Sequence, residues 1–362
     1  YIGIDLGTSS VKMLLVSADG AILKSVTEEY PVFYPQSGWS EQNPGDWYGG
    51  TMRGLKKLLD GQDKAAVRGV GIGGQMHGLV ALDAGGEVIR PAILWNDGRT
   101  QAQTDYLNEK IGRKKLSEYT ANVAFAGFTA PKILWMRENE PDNFAKIDTI
   151  MLPKDYLAYR LCGAHCTDLS DASGMLLLDV KNRRWSAEMC KICGVKEEWL
   201  PKLYESYEPV GTLLPHIAQE LGVGEGVLVC AGAGDNAAAA VGTGTVQDGA
   251  CNISLGTSGT VFISCDEFSV DARNALHSFC HANGKYHLMG CILSAASCNA
   301  WWSGHILQTQ DYAAEQAGLE PLRGENEVFF LPYLMGERSP HNDVHARGAF
   351  IGMRPDTSRQ KM

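Results

Sequence analysis

Two short hydroxyl-rich runs carry the clearest chemistry in this chain. Residues 4–11 read IDLGTSSV and residues 253–261 read ISLGTSGTV. The shared Leu-Gly-Thr-Ser lies in both cases between two apolar strand-like runs, and its recurrence at matching places points to a duplicated domain. A tight glycine-bearing turn presents successive backbone N–H groups, which can hold phosphate oxygens without a basic side chain. Gly7 and Gly256 let the backbone approach an anion closely, and Thr8, Ser9, Thr257 and Ser258 add hydroxyl donors. Two such turns facing each other could clamp the terminal phosphates of a nucleotide from both sides. The alternative is a pair of ordinary hairpin turns. Neither the Walker phosphate loop nor a dinucleotide fingerprint occurs. The glycine-rich stretch Gly69–Gly74 opens no evident helix.

Two carboxylates complete the chemical inventory. Asp5 precedes the first turn, where it could hold magnesium through waters or simply cap the turn. Its counterpart in the second copy is Ser254, so only one hairpin carries a metal-grade anion. Asp235, in AGAGDNAAAAVG, follows an apolar strand and opens an alanine-rich helical run. A carboxylate there is placed to act as general base toward a hydroxyl or to N-cap the helix; the local pattern leaves both open. Asn236 beside it could hydrogen-bond a substrate hydroxyl.

These residues need elements to hold them. The first segment reads as strands over 1–6, 11–17 and 21–27, with turns between. A helix follows, with Asn43 at its N-cap, Pro44 in its first turn, and Trp47, Met52, Leu55, Leu58 and Leu59 on one face. Val67–Ile72 predicts a short buried strand. Strands and helices then alternate, the pattern of an α/β architecture with ligands at strand ends. The second copy opens near residue 250 of 362. If the halves are equivalent, the second is expected to be cut short.

The chain is 44 % hydrophobic and 20 % charged, with a net charge of −10. That balance suits a globular protein with a real core and excludes a sequence-independent nucleic-acid binder, which needs a basic face. No apolar run is long enough for a membrane helix, and the chain opens on a strand rather than a leader, so a cytoplasmic protein is expected. Ten scattered cysteines then read as reduced thiols. The pair Cys190 and Cys193, with Cys162, His165 and Cys166 upstream, invites a zinc site; the wide gap and the helical look of 186–193 weigh against it.

The residues also carry a resemblance. The opening YIGIDLGTSSVK, the stretch GFTAPKILWMREN over 127–139 with Lys132 and Trp135, the run Gly38–Gln42 and the run Gly348–Met353 resemble the FGGY family of sugar kinases. Lys361 stands where the family's second signature usually has an acid, an amide or a histidine. Within the family, six runs resemble the D-xylulose kinases. They begin at Gly74 (GQMHG), Ile93 (ILWNDGR), Leu152 (LPKDY), His277 (HSFCH), Leu293 (LSAAS) and Gly336 (GERSPHN).

The resemblance implies a two-domain actin/hexokinase-like α/β fold (also called ribonuclease H-like) with the active site in the interdomain cleft. Residues 1–245 would bind sugar and phosphate, and residues 246–362 would begin an ATP-binding domain, incomplete here, with weak nucleotide binding and low turnover expected. It further implies ATP and Mg2+ as cofactors and D-xylulose as substrate, with ribulose, gluconate or glycerol as alternatives. A non-catalytic actin-like nucleotide switch is the alternative from another class. By position, Asp235 would be the general base and Asp5 would support the metal. Met76, His77, Asp235 and Asn236 would contact the sugar. Gly7, Thr8, Ser9, Lys12, Gly256, Thr257 and Ser258 would cradle the phosphates. Trp95, Asn96, Asp97 and Arg99 would line the cleft or form a solvated loop. A homodimer is compatible with this resemblance.

Overall fold

The structure is a computed structural model and describes residues 1–324, 327–343 and 345–362. Its first half is built on a seven-stranded mixed sheet. The strands β1 (Ile2–Leu6), β2 (Ser10–Val16) and β3 (Ile22–Glu29) form an antiparallel meander, with Asp5 opposite Lys12 across the first hairpin. Alternation decides which face is buried: Ile2, Ile4, Leu6, Val11, Met13 and Leu15 all turn inward. Helix α1 (Pro44–Leu59) lies across β2 and β3 and buries Trp47, Met52, Leu55, Leu58 and Leu59. Asn43 occupies the N-cap position as expected, but its side chain makes no capping bond; Pro44 at the first position needs no N–H partner.

On the other side of β1 runs the strand Gly69–Gly74, parallel to it, with Asp5 opposite Gly73. The sequence places this strand two residues earlier, at 67–72. Apolar content points to Val67, whereas pairing to β1 and to Ala233–Gly234 extends the strand through Gly73 and Gly74. Leu228–Cys230 continues the sheet in parallel, and Pro209–Thr212 closes its edge. After Cys230 the chain breaks its strand at Gly232, which adopts φ +78°; a Cβ there would meet the Ile72 carbonyl oxygen at 2.0 Å. Only glycine lets the chain turn so close to its neighbour. It resumes pairing at Ala233–Gly234 and enters the helix Asp235–Gly242.

The second half opens with a four-stranded antiparallel sheet, in the order Cys251–Leu255, Gly259–Cys265, Tyr286–Ile292, His277–Cys280. The strand His277–Cys280 is wholly buried, and its Phe279 and Cys280 belong to the same apolar cluster as Phe125, Phe128 and Met175 of the first half. Asn122 clasps it: Nδ2 donates to the Ser278 carbonyl at 2.9 Å and Oδ1 accepts the Ser278 N–H at 3.1 Å. The Cys280 N–H donates to the Ser173 hydroxyl at 3.0 Å. The two halves thus share one core at this junction.

Candidate active site

Asp5 and Asp235 come from elements far apart in sequence, and the sheet brings them to one end. Asp5 pairs with Gly73, Gly73 pairs with Ala233, and Asp235 follows two residues later. One glycine strand therefore separates the two carboxylate-bearing segments, a backbone distance of about 10 Å at the usual strand spacing. Gly73 adds no side chain between them, and a Cβ there would lie 3.2 Å from the Ala238 methyl. Both carboxylates open onto a cavity of about 890 Å³ whose walls also include Gly7, Lys12, Asn236 and Ser254. That cavity takes residues from both hairpins and both halves.

Each carboxyl is accessible from the cleft yet crowded by protein behind it. This desolvation pushes Asp235 up to about 6, opposed by the Asn236 N–H and raised further by the charge of Asp5. Crowding likewise raises Asp5, while Lys12 across the hairpin pulls it down. Asp235 does not cap its helix. The N-cap is Gly234, whose N–H donates to the Ser170 hydroxyl at 3.1 Å, and Asp235 is the first helical residue. Its Oδ1 accepts from the Asn236 N–H at 2.7 Å and from Asn236 Nδ2 at 2.9 Å, leaving Oδ2 open among the described residues. Asn236 Oδ1 accepts from the Thr260 hydroxyl at 3.2 Å, tying the start of the Asp235 helix to the second hairpin.

The two turns differ in how they are held. In the first, the Gly7 N–H donates to the Ser10 carbonyl, and the Gly7 carbonyl accepts from the Tyr30 hydroxyl. The Thr8 hydroxyl is committed to the protein: it accepts from Trp95 Nε1 at 3.0 Å and donates to Gln75 Oε1 at 3.2 Å. Gln42 Nε2 donates to the Thr8 carbonyl at 2.7 Å, and Gln42 Oε1 accepts from both Gln75 Nε2 and Trp47 Nε1 at 3.0 Å. What this turn offers a ligand is the backbone N–H groups of Thr8 and Ser9 and the exposed Ser9 hydroxyl. In the second, Gly256, Thr257 and Ser258 form an exposed tip. Its carbonyls accept from the N–H groups of Ala295, Ala296 and Ser297, at the start of the helix Ala296–Trp301. Thr257 and Ser258 lie away from the cavity wall, whereas Ser254 is on it.

Met76 and His77 are buried, with Met76 packed against Gly234 at the start of the Asp235 helix. A Cβ on Gly234 would lie 2.9 Å from the Met76 sulfur, so glycine at 234 is what brings Asp235 down onto Met76. His77 adopts φ +69° and points its ring at Gly174, Nδ1 lying 2.8 Å from that carbonyl. Burial first, then the nearby charges of Arg338 and Lys132, hold its pKa well below the ordinary range, so the ring is neutral. With Nδ1–H donating to Gly174, Nε2 is an acceptor. Lys132, fully buried, donates to the His77 carbonyl at 2.8 Å and the Gly127 carbonyl at 2.6 Å; the Thr129 hydroxyl adds a second bond to the His77 carbonyl at 3.0 Å. The matching residues of the 127–139 run therefore set the backbone of His77.

Other expected contributors have structural posts. Arg99 and Asp97 form a buried pair at 2.7 Å, Asp97 accepts the Ser40 N–H at 2.6 Å, and Arg99 also meets Glu41 at 2.7 Å beneath the Trp39 ring. They are neither a solvated loop nor a cleft lining. Cys190 and Cys193 lie on the inward face of the helix Ala187–Cys193, where burial raises both thiols, to about 11 and about 12. Among the described residues no group of three side chains could hold a metal ion.

One cluster escapes local reading altogether. Lys154, fully buried, meets Asp155 at 2.7 Å, Asp168 at 2.9 Å and Asp171 at 3.9 Å, and donates to the Ala231 carbonyl at 3.2 Å. Its pKa lies well above the ordinary lysine range: desolvation lowers it, and the three carboxylates outweigh that. The cluster pins the helix Pro153–Cys162, the strand Cys166–Asp168 and the helix Leu169–Ala172 to the segment that leads into Asp235. A lysine and three acids inside the apolar runs LPKDY and TDLSDAS were its only signal in the sequence.

A cavity lined by both halves, with Asp5, Gly7 and Asp235 on its wall, is the arrangement a phosphotransferase of the sugar-kinase kind would use. The chain belongs to the FGGY family of carbohydrate kinases: the model of the family's N-terminal domain matches residues 1–242 and that of its C-terminal domain residues 251–362. It is 44% identical over 354 residues to the xylulose kinase of Escherichia coli (strain K12), covering 98% of this chain and 72% of that one. The xylulose kinase of Bacillus subtilis (strain 168) is 40% identical, covering 97% and 71%. Among solved structures, a "xyloylose kinase" from Brucella ovis superposes with a TM-score of 0.93 at 41% identity, covering all of this chain and 74% of that one. The two-domain α/β fold is that of this family. No helix among the described residues is long and apolar enough to cross a membrane.

Proposed function

We propose that this chain phosphorylates D-xylulose at its terminal hydroxyl to give D-xylulose 5-phosphate, with ATP as donor. The observation that carries the reading is the open carboxylate of Asp235, held at a helix start one glycine strand from Asp5. The kinship with xylulose kinases supports the choice of sugar. In this reading residues 1–245 bind sugar and phosphate and residues 246–362 begin the nucleotide-binding half.

Asp235 takes the proton from the hydroxyl as the oxygen attacks the γ-phosphorus and the bond to the β-phosphate oxygen breaks, with ADP leaving. Asn236 holds Asp235 Oδ1 and so orients Oδ2 toward the sugar. Met76 forms the apolar floor, and His77 Nε2 accepts from a sugar hydroxyl. Gly7, Lys12 and the N–H groups of Thr8 and Ser9 bind the phosphates, the committed Thr8 hydroxyl serving to fix the turn; the Gly256–Thr257–Ser258 turn, off the cavity wall, would meet them only once the two halves draw together. Asp5 fits magnesium held through waters, since among the described residues no side chain pairs with its carboxylate and it faces the cavity. Bound there with the nucleotide, the ion would offset the phosphates' negative charge.

Calorimetry with D-xylulose, D-ribulose, gluconate and glycerol tests the sugar. Binding of D-xylulose at least tenfold tighter than the others is expected, and a preference for another polyol overturns the choice of substrate. Asp235→Ala is expected to lower kcat by about 10²- to 10⁴-fold; turnover within threefold of the parent removes Asp235 from this role. ATP hydrolysis indifferent to added pentulose would instead indicate a nucleotide switch.

A further inference from the structure

We infer that Ser170, oriented by the buried carboxylate of Asp168, is a positioning residue for the general base, holding the start of the Asp235 helix in its working place. The inference rests on the reading of Asp235 as that base. Two of the three residues before Asp235 are glycines, so side chains do little to fix the backbone there. Hydrogen bonds do it instead. Lys154 Nζ donates to the Ala231 carbonyl at 3.2 Å, the Gly232 N–H donates to the Ser206 carbonyl at 3.0 Å, and the Gly234 N–H donates to the Ser170 hydroxyl at 3.1 Å. The last of these lies nearest the base. Gly234 is the N-cap of the helix and has no side chain with which to cap it.

All three arms lead to one carboxylate. Asp168 Oδ1 lies 2.9 Å from Lys154 Nζ. Its Oδ2 accepts from the Ser206 hydroxyl at 2.7 Å, from the Ser170 N–H at 2.8 Å and from the Ser170 hydroxyl. Asp168 and Ser170 are both wholly buried. A serine hydroxyl has one proton and can rotate to spend it elsewhere. Here Asp168 takes that proton, which fixes the hydroxyl and leaves its lone pairs to the Gly234 N–H. Without the hydroxyl, a buried N–H loses its partner and the backbone must shift to find another. A displacement of about 1 Å at a catalytic group can cost about 10²-fold in rate. Ser170 is not on the cavity wall, so its effect reaches the reaction through Gly234 and Asp235.

The test is steady-state kinetics with D-xylulose and ATP on the parent chain, Ser170→Ala, Ser173→Ala, Asp235→Ala and the double variant of residues 170 and 235, with thermal melts on each. Ser173→Ala is the matched control. Its hydroxyl is also buried, donates to the Leu169 carbonyl at 2.7 Å and accepts the Cys280 N–H at 3.0 Å, and neither bond reaches residues 231–235. Ser170→Ala is expected to lower kcat about 10- to 100-fold, with KM for D-xylulose within about threefold; Ser173→Ala is expected to keep kcat within about threefold. In the Asp235→Ala background, Ser170→Ala is expected to change kcat by less than about threefold, since no base remains to be misplaced. A kcat of Ser170→Ala within threefold of the parent, a loss by the same factor in both backgrounds, or an equal loss from Ser173→Ala overturns the inference alone. Turnover of Asp235→Ala within threefold of the parent, or none by the parent itself, overturns the reading of the base and the inference with it. Ser170→Cys, near in volume and with a weakly accepting sulfur, carries the same expectations if Ser170→Ala does not fold.

Discussion

In the proposed mechanism Asp235 can take a proton only when ionised, and its environment sets where that happens. Crowding in the cleft wall carries its pKa up to about 6, so kcat is expected to rise with pH through about 6 and level off above it. A pH–rate profile under saturating substrates checks this; a flat profile from pH 5 to 8 contradicts it. The same shift has a stability side. A carboxyl whose folded pKa is raised holds its proton better folded than unfolded, so its contribution to stability falls as pH rises between about 4 and about 6. Asp235→Asn, neutral at every pH, is therefore expected to lose activity while melting at or above the parent's temperature at pH 7. Asp5, Asp235 and the two turns were legible in the sequence because each sits in a short run whose chemistry is local. The commitment of the Thr8 hydroxyl was not, since its partners Gln75 and Trp95 come from separate segments.

At the scale of elements, the glycine strand and the lysine cluster decide where Asp235 points. Gly232 turns the chain within contact of Ile72, and Gly232→Ala would add both a left-handed strain and a clash with backbone. Its expected cost is about 2–5 kcal/mol, with kcat reduced because the helix start is displaced; urea denaturation and a turnover assay read both. Lys154→Met leaves Asp155, Asp168 and Asp171 buried without a cation, and is expected to destabilise the chain by about 3–5 kcal/mol. A loss under 1 kcal/mol in urea unfolding would mean that the carboxylates are hydrated in solution. Periodicity found β1, β2, β3 and α1 with small errors at the ends. It placed the strand Gly69–Gly74 too early, since glycine carries no hydropathy signal and only the pairing partners define its end.

For the whole molecule, the duplicated hairpins announced two halves but gave no hint of how deeply they interlock. Phe279 and Cys280 fill the core of the first half, and Asn122 pairs both the backbone N–H and the carbonyl of Ser278. A fragment ending at Thr245 would expose Phe125 and Phe128 and leave Asn122 without its two bonds to Ser278. It is expected to show a much broader thermal transition than the full chain and to bind a dye specific for exposed apolar surface. A fragment extended to Ile292, which restores the buried strand His277–Cys280 and its neighbour Tyr286–Ile292, is expected to melt cooperatively. Equal cooperativity of the two fragments would show the shared core to be dispensable.

The burial of His277–Cys280 also bears on how the protein is made. A ribosome that has just added Gly242 has finished the helix bearing the base, yet the strand that seals the first half is still unsynthesised. At about 5–20 residues per second, those further 38 residues (242 to 280) take about 2–8 s, during which the aromatic surface around Phe128 lies open to any chaperone. Slow codons in that window would lengthen the exposure, and the yield of the folded enzyme would follow the speed of translation there more closely than anywhere earlier in the message.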